Sequence, residues 1–548
     1  LLKVVDPLGA QESYEYNALG EKKSFTNKNG NKWTYDYDAA GRLTRETAPA
    51  VELVTLTQGS GGAMGSLSAQ TPTTSSVETR LAYDALGNLL SRTEAFGRPE
   101  ERTTEYAYDA VGHQVKVTYE SVKVYNAAAE NPASAATGGL SARAERDSQR
   151  IVETTYNAFG EAVRNVDRDS TNAANDAYSY RTYDAAGNLK QEVDALGYVT
   201  GYTRNVWGEV TELLRYANKT ALVNDARTSL TVADVNAAVN AAGIDHAADR
   251  RIVTVYDRAG RATKVTEPQY FAYDSSAGAY NQNEVASATT ISTYNAFGDV
   301  VLAQRLANAS TNTWIYTAHY FNRRGEEIAT VDPMGYLTEQ KFNAAGELIS
   351  RTEYATKVAS WNPANPSASA PAPSHSPDDR RIDWAYDQGG RKVSETRFQV
   401  EISVDGGAAS TRANLTTTFG YDAVGNQTRT TDATGASTYT YYDAQGRVTA
   451  VVASIGGVTE SGVAPSVVTR FLRDGLGNVL VKLETLQAGT GAPASGLSIN
   501  SNQADPNRDR VTYTRYDQMG NAVQSTDAGG VNHYSSYDVR GHVGKGWQ

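Results

Sequence analysis

Cysteine is absent from this 548-residue chain, and several other features that assign a protein to a class are missing too. Without thiols the fold contains no disulfide, no thiolate nucleophile and no thiolate metal site. No stretch reaches the length of about eighteen apolar residues that predicts a membrane span, and no basic segment followed by an apolar stretch opens the chain. The chain begins with Leu1 rather than Met, so we interpret it as a segment of something longer.

Clustered positive charge is also lacking. The formal net charge is −11 and no basic run occurs, whereas binding to a nucleic-acid backbone relies on clustered Lys and Arg. The six histidines form no His-x-x-His or His-x-x-x-His pair, and there is no Gly-x-Ser-x-Gly elbow or phosphate-binding loop. We therefore expect no enzyme activity, no cofactor, no metal site and no nucleic-acid partner.

The residues that are abundant point to a sheet protein. The chain has 34 Tyr against 10 Phe, together with 47 Gly, 40% hydrophobic and 21% charged residues. Aromatic residues favour strands and glycine favours turns, while the overall balance is close to that of folded globular proteins. A folded chain with many strands and many turns is the expectation.

One short pattern recurs along the whole chain: an aromatic residue, Asp or Asn, two further residues, and Gly. Two degenerate copies keep the turn and lose the aromatic residue, at Arg204-Asn205 to Gly208 and at Arg473-Asp474 to Gly477. The fifteen strict copies begin at Tyr16, Tyr37, Tyr83, Tyr108, Tyr156, Tyr183, Tyr256, Tyr294, Phe321, Phe342, Tyr386, Tyr421, Tyr442, Tyr516 and Tyr537.

The spacing of the turns defines the fold class. Tyr16 and Tyr37 lie 21 residues apart, and the glycines Gly20, Gly30 and Gly41 are separated by ten and then eleven residues. Such steps leave about six to eight residues for a strand between turns, which is too short for a helix with its connections. The sequence therefore predicts an all-β fold, a repetitive antiparallel β-hairpin array that runs through residues 1–548 as one continuous domain.

The turn residues have a structural explanation. In the repeat that starts at Tyr37, the Asp38 side chain can accept backbone N–H groups two residues on, and Gly41 supplies the positive φ of a short loop. Asp84 and Gly87 repeat this arrangement after Tyr83, as does Gly187 after Tyr183. We assign these residues to the architecture and not to catalysis or binding.

Longer stretches rich in Ala, Ser, Thr, Gly and Pro interrupt the array and are interpreted as insertions at hairpin ends. Binding specificity, if the chain has any, is expected there, because loops tolerate variation. Residues 231–239 predict a short helix, and the proline-rich residues 361–377 predict an extended segment. The insertions lie near 49–77, 122–150, 217–250, 267–290, 355–380, 450–468 and 483–510.

Repeats such as Tyr83-Asp84-Ala85-Leu86-Gly87-Asn88-Leu89 resemble those of the RHS, or YD-repeat, proteins, which include shells of bacterial polymorphic toxins and toxin complexes and the barrel of animal teneurins. The resemblance implies a β-strip that spirals into a hollow shell or barrel around a toxic C-terminal polypeptide. It also implies a secreted or cell-surface location of bacterial type. The implied partners are an N-terminal delivery region and a C-terminal effector of the same polypeptide.

The family's self-cleaving motif is not matched. That motif is built on Asp-Pro-x-Gly-Leu, whereas Asp6-Pro7-Leu8-Gly9 is followed by Ala10 and Asp332-Pro333-Met334-Gly335 by Tyr336. We expect neither site to cleave. No variable toxin domain follows residue 541, so this stretch is expected to form wall and not payload.

Three other hypotheses compete with a shell. Paired carboxylates for glycoside hydrolysis are the weakest, because turn capping already accounts for the repeated aspartates. Rows of tyrosine rings could stack on sugars, which favours a cell-surface adhesion or carbohydrate-binding array. An extracellular fibre is the third, since a strip with unpaired ends can associate with further strips.

Overall fold

The fold was determined as a computed structural model, which describes residues 1–59, 66–126, 145–222, 227–274, 279–308, 312–359, 361–404, 409–454, 465–488 and 509–547. Strands dominate these residues, and nearly every strand pairs antiparallel with a neighbour in sequence. The predicted all-β array of antiparallel hairpins is thereby confirmed.

The strands fall in chain order as follows. The first part contains β1 (Lys3–Val5), β2 (Gln11–Tyr16), β3 (Lys22–Thr26), β4 (Lys32–Tyr37), β5 (Leu43–Thr47), β6 (Val51–Leu53), β7 (Leu56–Gln58), β8 (Leu67–Ala69), β9 (Thr73–Ser75), β10 (Glu78–Tyr83), β11 (Leu89–Glu94), β12 (Arg102–Tyr108), β13 (Gln114–Thr118), β14 (Val122–Tyr125), β15 (Glu145–Ser148) and β16 (Arg150–Tyr156). The middle part contains β17 (Ala162–Asp169), β18 (Ala177–Tyr183), β19 (Leu189–Val193), β20 (Val199–Arg204), β21 (Val210–Arg215), β22 (Arg250–Tyr256), β23 (Ala262–Asp274), β24 (Ala279–Tyr294), β25 (Val300–Asn308), β26 (Thr313–Phe321), β27 (Glu327–Val331), β28 (Tyr336–Phe342), β29 (Leu348–Lys357), β30 (Arg380–Tyr386) and β31 (Lys392–Val404). The last part contains β32 (Ala409–Tyr421), β33 (Gln427–Thr431), β34 (Ser437–Tyr442), β35 (Val448–Ser454), β36 (Pro465–Arg473), β37 (Val479–Ala488), β38 (Arg510–Tyr516), β39 (Ala522–Thr526), β40 (Asn532–Tyr537) and β41 (Val543–Trp547).

The hairpins that close at a tyrosine turn share one feature of register. In the pair β2 and β3, Ser13 lies opposite Thr26 and Tyr14 opposite Phe25, and the register shifts by one residue at Tyr16. A shift of this kind is a β-bulge, which bends a strand where it meets the turn. The aromatic residue of each repeat is the last residue of its strand, as Tyr37 is in β4.

Aromatic residues two positions apart share one face, as expected from strand geometry. In β4 the residues Trp33, Tyr35 and Tyr37 are half-buried, while the residues between them are exposed. Across neighbouring strands the ring centroids of Tyr14 and Phe25 lie 5.3 Å apart, and those of Phe25 and Trp33 5.6 Å apart. These distances suit offset or tilted ring pairs, so an aromatic ladder runs across β2, β3 and β4.

The chain forms two compact units. Unit 1 contains Leu1–Thr154, Val166–Asp176 and Thr417–Gln548, and unit 2 contains Thr155–Asn165 and Ala177–Thr416. The buried apolar residues of both units cluster where an insertion packs on the sheet. The side chains on both faces of the hairpins are only partly buried by the sheet itself, so the insertions supply the second layer that a core requires.

In unit 2 two insertions cover the sheet. The predicted helix is confirmed as α1 (Val232–Val239), which begins after Thr231 with a capping box between Thr231 and Asp234. Its residues Val235 and Val239 pack on the buried side chain of Tyr180. The proline-rich residues 361–377 contain no helix or strand where described, and Trp361 packs against a second cluster around Leu337.

The remaining insertions extend hairpins or fall outside the described residues. Residues 267–290 form the outer arms of β23 and β24, apart from 275–278, which lie outside the description. The central parts of three predicted insertions, residues 127–144, 455–464 and 489–508, also lie outside it, as do 60–65, 223–226 and 360. In the described part of the chain no helix is long and apolar enough to cross a membrane.

Candidate functional site: the tyrosine turns and the seam of unit 1

Each repeat turn is a closed set of hydrogen bonds. The Asp38 N–H donates to the Arg42 carbonyl and the Gly41 N–H donates to the Asp38 carbonyl, both at 3.0 Å. Asp38 Oδ1 accepts from the N–H groups of Ala40 and Arg42 at 2.9 and 3.0 Å. Gly41 has a φ of 77°, a region that other residues seldom adopt. The turn therefore satisfies its own polar groups and leaves none of them for chemistry.

The second carboxylate oxygen of Asp38 reveals a pairing rule. Asp38 Oδ2 accepts from Arg42 Nε at 2.7 Å, four residues on. Hydrogen bonds from Arg42, first from its backbone and then from its guanidinium, hold the pKa of Asp38 below its usual range. Where the turn starts with Asn the direction reverses, and Asn157 Nδ2 donates to Glu161 Oε2 at 2.6 Å.

In every copy of the repeat, the first turn residue and the residue four positions later are chemically complementary, and this is visible in the sequence alone. Among the fifteen strict copies and the two degenerate ones, a turn that starts with Asp has Arg, Asn or His four residues later, and a turn that starts with Asn has Glu or Asp there. The first kind is Asp38-Arg42, Asp84-Asn88, Asp109-His113, Asp184-Asn188, Asp257-Arg261, Asp387-Arg391, Asp422-Asn426, Asp443-Arg447, Asp474-Asn478, Asp517-Asn521 and Asp538-His542. The second kind is Asn17-Glu21, Asn157-Glu161, Asn205-Glu209, Asn295-Asp299, Asn322-Glu326 and Asn343-Glu347.

The repeat tyrosines act as tethers between turns. The Tyr37 hydroxyl donates to the Lys22 carbonyl at 2.9 Å, and Lys22 is the second residue after Gly20, the glycine of the preceding tyrosine turn. Tyr183, Tyr256, Tyr294, Tyr386, Tyr442 and Tyr537 donate in the same way to the carbonyls of Ala162, Val210, Ala262, Leu348, Gln427 and Ala522, at 2.8 to 3.1 Å.

The degenerate copies keep the tether by other means. Arg204 Nη1 donates to the Leu189 carbonyl, and Arg473 Nη1 donates to the Val448 carbonyl. Both acceptors again follow the preceding turn glycine by two residues. A guanidinium thus replaces the phenol as donor.

The other predicted repeat residues occupy equivalent places. Tyr16, Tyr83, Tyr108, Tyr156, Tyr421 and Tyr516 end β2, β10, β12, β16, β32 and β38, with Asp84 at the start of its turn and Gly87 and Gly187 at positive φ. Adjacent tyrosine turns also touch, since Arg42 Nη1 donates to the Asp84 carbonyl at 2.6 Å. The structure gathers these residues into a repeated architectural element.

A second feature of unit 1 has no sequence signature. Two insertion strands, β6 and β14, lie beside strands more than 400 residues later, and we call these contacts the seam. Leu53 pairs in parallel with Arg473, and Val124 pairs in parallel with Tyr537. Around Leu53 the buried Val51, Val77 and Ala95 pack with Leu476 of the turn.

Charged residues reinforce the seam. Arg470 Nη2 lies 2.7 and 2.6 Å from the two carboxylate oxygens of Glu52. Glu100 Oε1 accepts from the Gly475 N–H at 2.6 Å, and the neighbouring Asp474 is buried. Burial raises the pKa of the Asp474 carboxyl, which also faces the charge of Glu100.

Metal and histidine chemistry find no support in the described ranges. No group of three His, Asp or Glu side chains there is arranged to hold a metal ion. His113 and His542 each point Nδ1 at the aspartate of their own turn, at 2.9 and 3.0 Å. Both histidines serve as the partner four residues after Asp, which is an architectural role.

Comparison with known proteins agrees with the repeat pattern. The family model of the RHS repeat matches residues 23–50, 83–121, 183–221 and 421–459. No curated protein sequence matches the chain.

Among solved structures the chain is similar to TcdB2-TccC3, with 12% identity over 98% of this chain and 29% of that one and a TM-score of 0.35. TcdB2-TccC3-Cdc42 is 12% identical over 99% of this chain and 31% of that one, with a TM-score of 0.34. The Photorhabdus luminescens Tc holotoxin pore is 13% identical over 98% of this chain and 35% of that one, with a TM-score of 0.17. The chain thus spans about a third of the length of these proteins.

Proposed function

We propose that this chain, which carries RHS repeats, is a structural scaffold: part of the wall of a shell that encloses and delivers a C-terminal toxin or effector. The partners are then other segments of the same polypeptide, and the location is secreted or at the cell surface. Catalysis lies elsewhere, because the repeated aspartates of the array are used in closing turns.

The seam of unit 1 is the observation that supports this proposal most. A wall must be continuous between successive passes of the strip, and here insertion strands fill the space between the N-terminal repeats and the repeats near the C-terminus of the chain. The side-chain contacts of the seam are apolar around Leu53 and Val124, and Glu52 and Arg470 form an ion pair in it. Close packing of this kind is what a continuous barrier requires.

The tethered tyrosines favour a wall over a carbohydrate-binding array. A ring that stacks on sugar needs a free face. Tyr37, Tyr256 and Tyr386 are half-buried instead, and their hydroxyls are bound to backbone carbonyls of the same sheet.

A cryo-EM map of the natural full-length polypeptide tests the proposal. We expect repeat strands to surround a closed cavity that contains density for the C-terminal region. A solid or open stack of strands would contradict enclosure, and screening on glycan arrays would then be the next assay.

A second measurement tests whether the seam protects the C-terminal region from proteolysis. We expect the C-terminal region of the full-length polypeptide to resist trypsin, and to become sensitive in the variant Arg470→Ala. Lys32→Ala is the matched control, because it removes an exposed ion pair with Glu15 outside the seam. Equal protection in Arg470→Ala, Lys32→Ala and the parent protein would argue against a sealing role.

A further inference from the structure

Two turns of the array have arginine where the others have an aromatic residue, and their main-chain hydrogen bonds correspond. Asn205 Oδ1 accepts from the N–H groups of Trp207 and Glu209 at 3.0 and 3.1 Å. Asp474 Oδ1 accepts from the Asn478 N–H at 2.8 Å. Both arginines donate to the carbonyl that a tyrosine would reach. The two turns are therefore equivalent sites in units 2 and 1.

The turn after Arg473 is covered by an extended segment. The Val54 N–H donates to the Arg473 carbonyl at 2.9 Å, so the segment continues the sheet beside the end of β36. Val51 and Leu53 of the segment pack with Leu476, the residue before the turn glycine. This cover combines a main-chain hydrogen bond with alternate aliphatic side chains, which is how extended peptides add to sheet edges.

The turn after Arg204 has the same main-chain hydrogen bonds, but no further strand of the described residues pairs with the end of β20 there. Trp207, which corresponds to Leu476, is 79% exposed, and the adjacent Val206 is 90% exposed. Large apolar side chains that project together from a polar turn are typical of an interaction site. An indole at the centre of such a site is also the most frequent kind of binding anchor.

We infer that the Arg204–Glu209 turn is a docking site for an extended strand of a partner polypeptide. The strand lies parallel to β20 and places aliphatic side chains at alternate positions against Val206 and Trp207, as Val51 and Leu53 do at Leu476. This inference is independent of whether the chain encloses an effector.

Two observations define the partner further. In the described ranges the two insertion strands that pair in parallel with a strand ending at a repeat turn, β6 and β14, are already engaged in unit 1, so neither of them is available to the turn after Arg204. The residue three positions before Arg473 is Arg470, which binds Glu52, whereas the residue three positions before Arg204 is Gly201. The partner strand therefore needs no acidic residue between its aliphatic positions.

A labelled synthetic peptide with the sequence of residues 48–56 is the probe, because it contains the segment that covers the equivalent turn. We expect it to bind the 548-residue chain saturably in fluorescence polarisation. Val206→Asp and Trp207→Ala should each weaken binding by about tenfold or more, the effect of removing a central anchor. Phe297→Ala is the matched control, since Phe297 holds the same turn position, is equally exposed and follows a tyrosine.

The peptide needs its own control, a version with Asp in place of both Val51 and Leu53, which should not bind. Thermal unfolding of the variants should match that of the parent, because the altered side chains are exposed. The inference is overturned if the peptide fails to bind saturably, or if Val206→Asp binds it as well as the parent does. Neither result bears on the cavity sought by cryo-EM.

Discussion

Glu52 and Arg470 lie 418 residues apart in sequence, yet one guanidinium nitrogen of Arg470 contacts both carboxylate oxygens of Glu52. Only 11% of the Arg470 side chain is exposed, against 39% of the Glu52 side chain. Pairs with one well-buried partner are more sensitive to the loss of a member than pairs at the surface are. Substitution of one member of this ion pair is therefore the most direct test of the seam.

Glu52→Ala should loosen the seam by about 1–3 kcal/mol, because the buried guanidinium loses its carboxylate. Hydrogen exchange of β6, measured by mass spectrometry, should accelerate. Lys32→Ala should change exchange in β6 very little, because surface pairs contribute about 1 kcal/mol or less and this one lies outside the seam. Unchanged protection of β6 in Glu52→Ala would show that apolar packing alone holds the strand.

Tyr37→Phe removes the tether to Lys22 and keeps the ring. We expect a local loss of about 1 kcal/mol, the usual net contribution of one hydrogen bond. Hydrogen exchange of residues 20–24 and 35–41 is the measurement.

Tyr16→Phe serves as its control, since the Tyr16 hydroxyl has no hydrogen-bond partner among the described residues. Equal effects of Tyr37→Phe and Tyr16→Phe on exchange would contradict the tether.

The pairing rule of the turns can be tested by reversal. Asn157→Asp places two carboxylates where Asn157 Nδ2 now lies 2.6 Å from Glu161, so it should destabilise the turn at pH 7 by about 1–2 kcal/mol. Protonation should relieve the repulsion as the pH falls. The double variant Asn157→Asp with Glu161→Asn recreates the arrangement of Asp84 and Asn88 and should recover most of the stability.

Hydrogen exchange of residues 156–162 should be compared among the parent protein, Asn157→Asp and the double variant. A double variant no more stable than the single one would show that the two positions are not coupled.

Asp474 should respond to pH in the opposite sense to Asp184, the aspartate of another tyrosine turn. Its pKa is raised by burial, so its contribution to stability is present below the unfolded pKa and is lost as the pH rises through the folded value. The pKa of Asp184 is lowered, chiefly by the Asn188 backbone N–H, so its contribution is present at neutral pH and is lost as the pH falls through the folded value.

Asp474→Asn should therefore protect residues 470–481 from exchange more than the parent does at pH 7, with the difference shrinking as the pH falls through the raised pKa. Asp184→Asn should weaken its own turn at pH 7. If Asp474→Asn weakens its turn at every pH, the carboxylate is stabilising and the assigned direction of the pKa shift is wrong.

The spacing of the turns was sufficient to predict β4 and β5 closely, because alternation and turn chemistry act over a few residues. The helix after Thr231 was predictable for the same reason, since its capping box is local. The rule that pairs Asp38 with Arg42 was equally accessible, through the residue four positions after each Asp or Asn.

The tethers and the seam were not predictable from the sequence. The carbonyl that Tyr37 reaches depends on the bulge at the strand end, which sets where the ring points. The pairing of Leu53 with Arg473 depends on how hundreds of intervening residues fold. Short apolar runs such as residues 51–54 look like ordinary loop sequence until the surface that they cover is known.

The tether has a consequence for how such chains change length. Tyr37 reaches the carbonyl that follows the preceding tyrosine turn, so donor and acceptor both lie within 21 residues, and each turn completes its own hydrogen bonds. An in-frame duplication or deletion of this 21-residue unit leaves the Tyr37 tether with a partner, whereas the tethers of Tyr256 and Tyr386 span 46 and 38 residues. This part of the array should therefore tolerate the gain or loss of a whole unit better than that of a fraction of a unit.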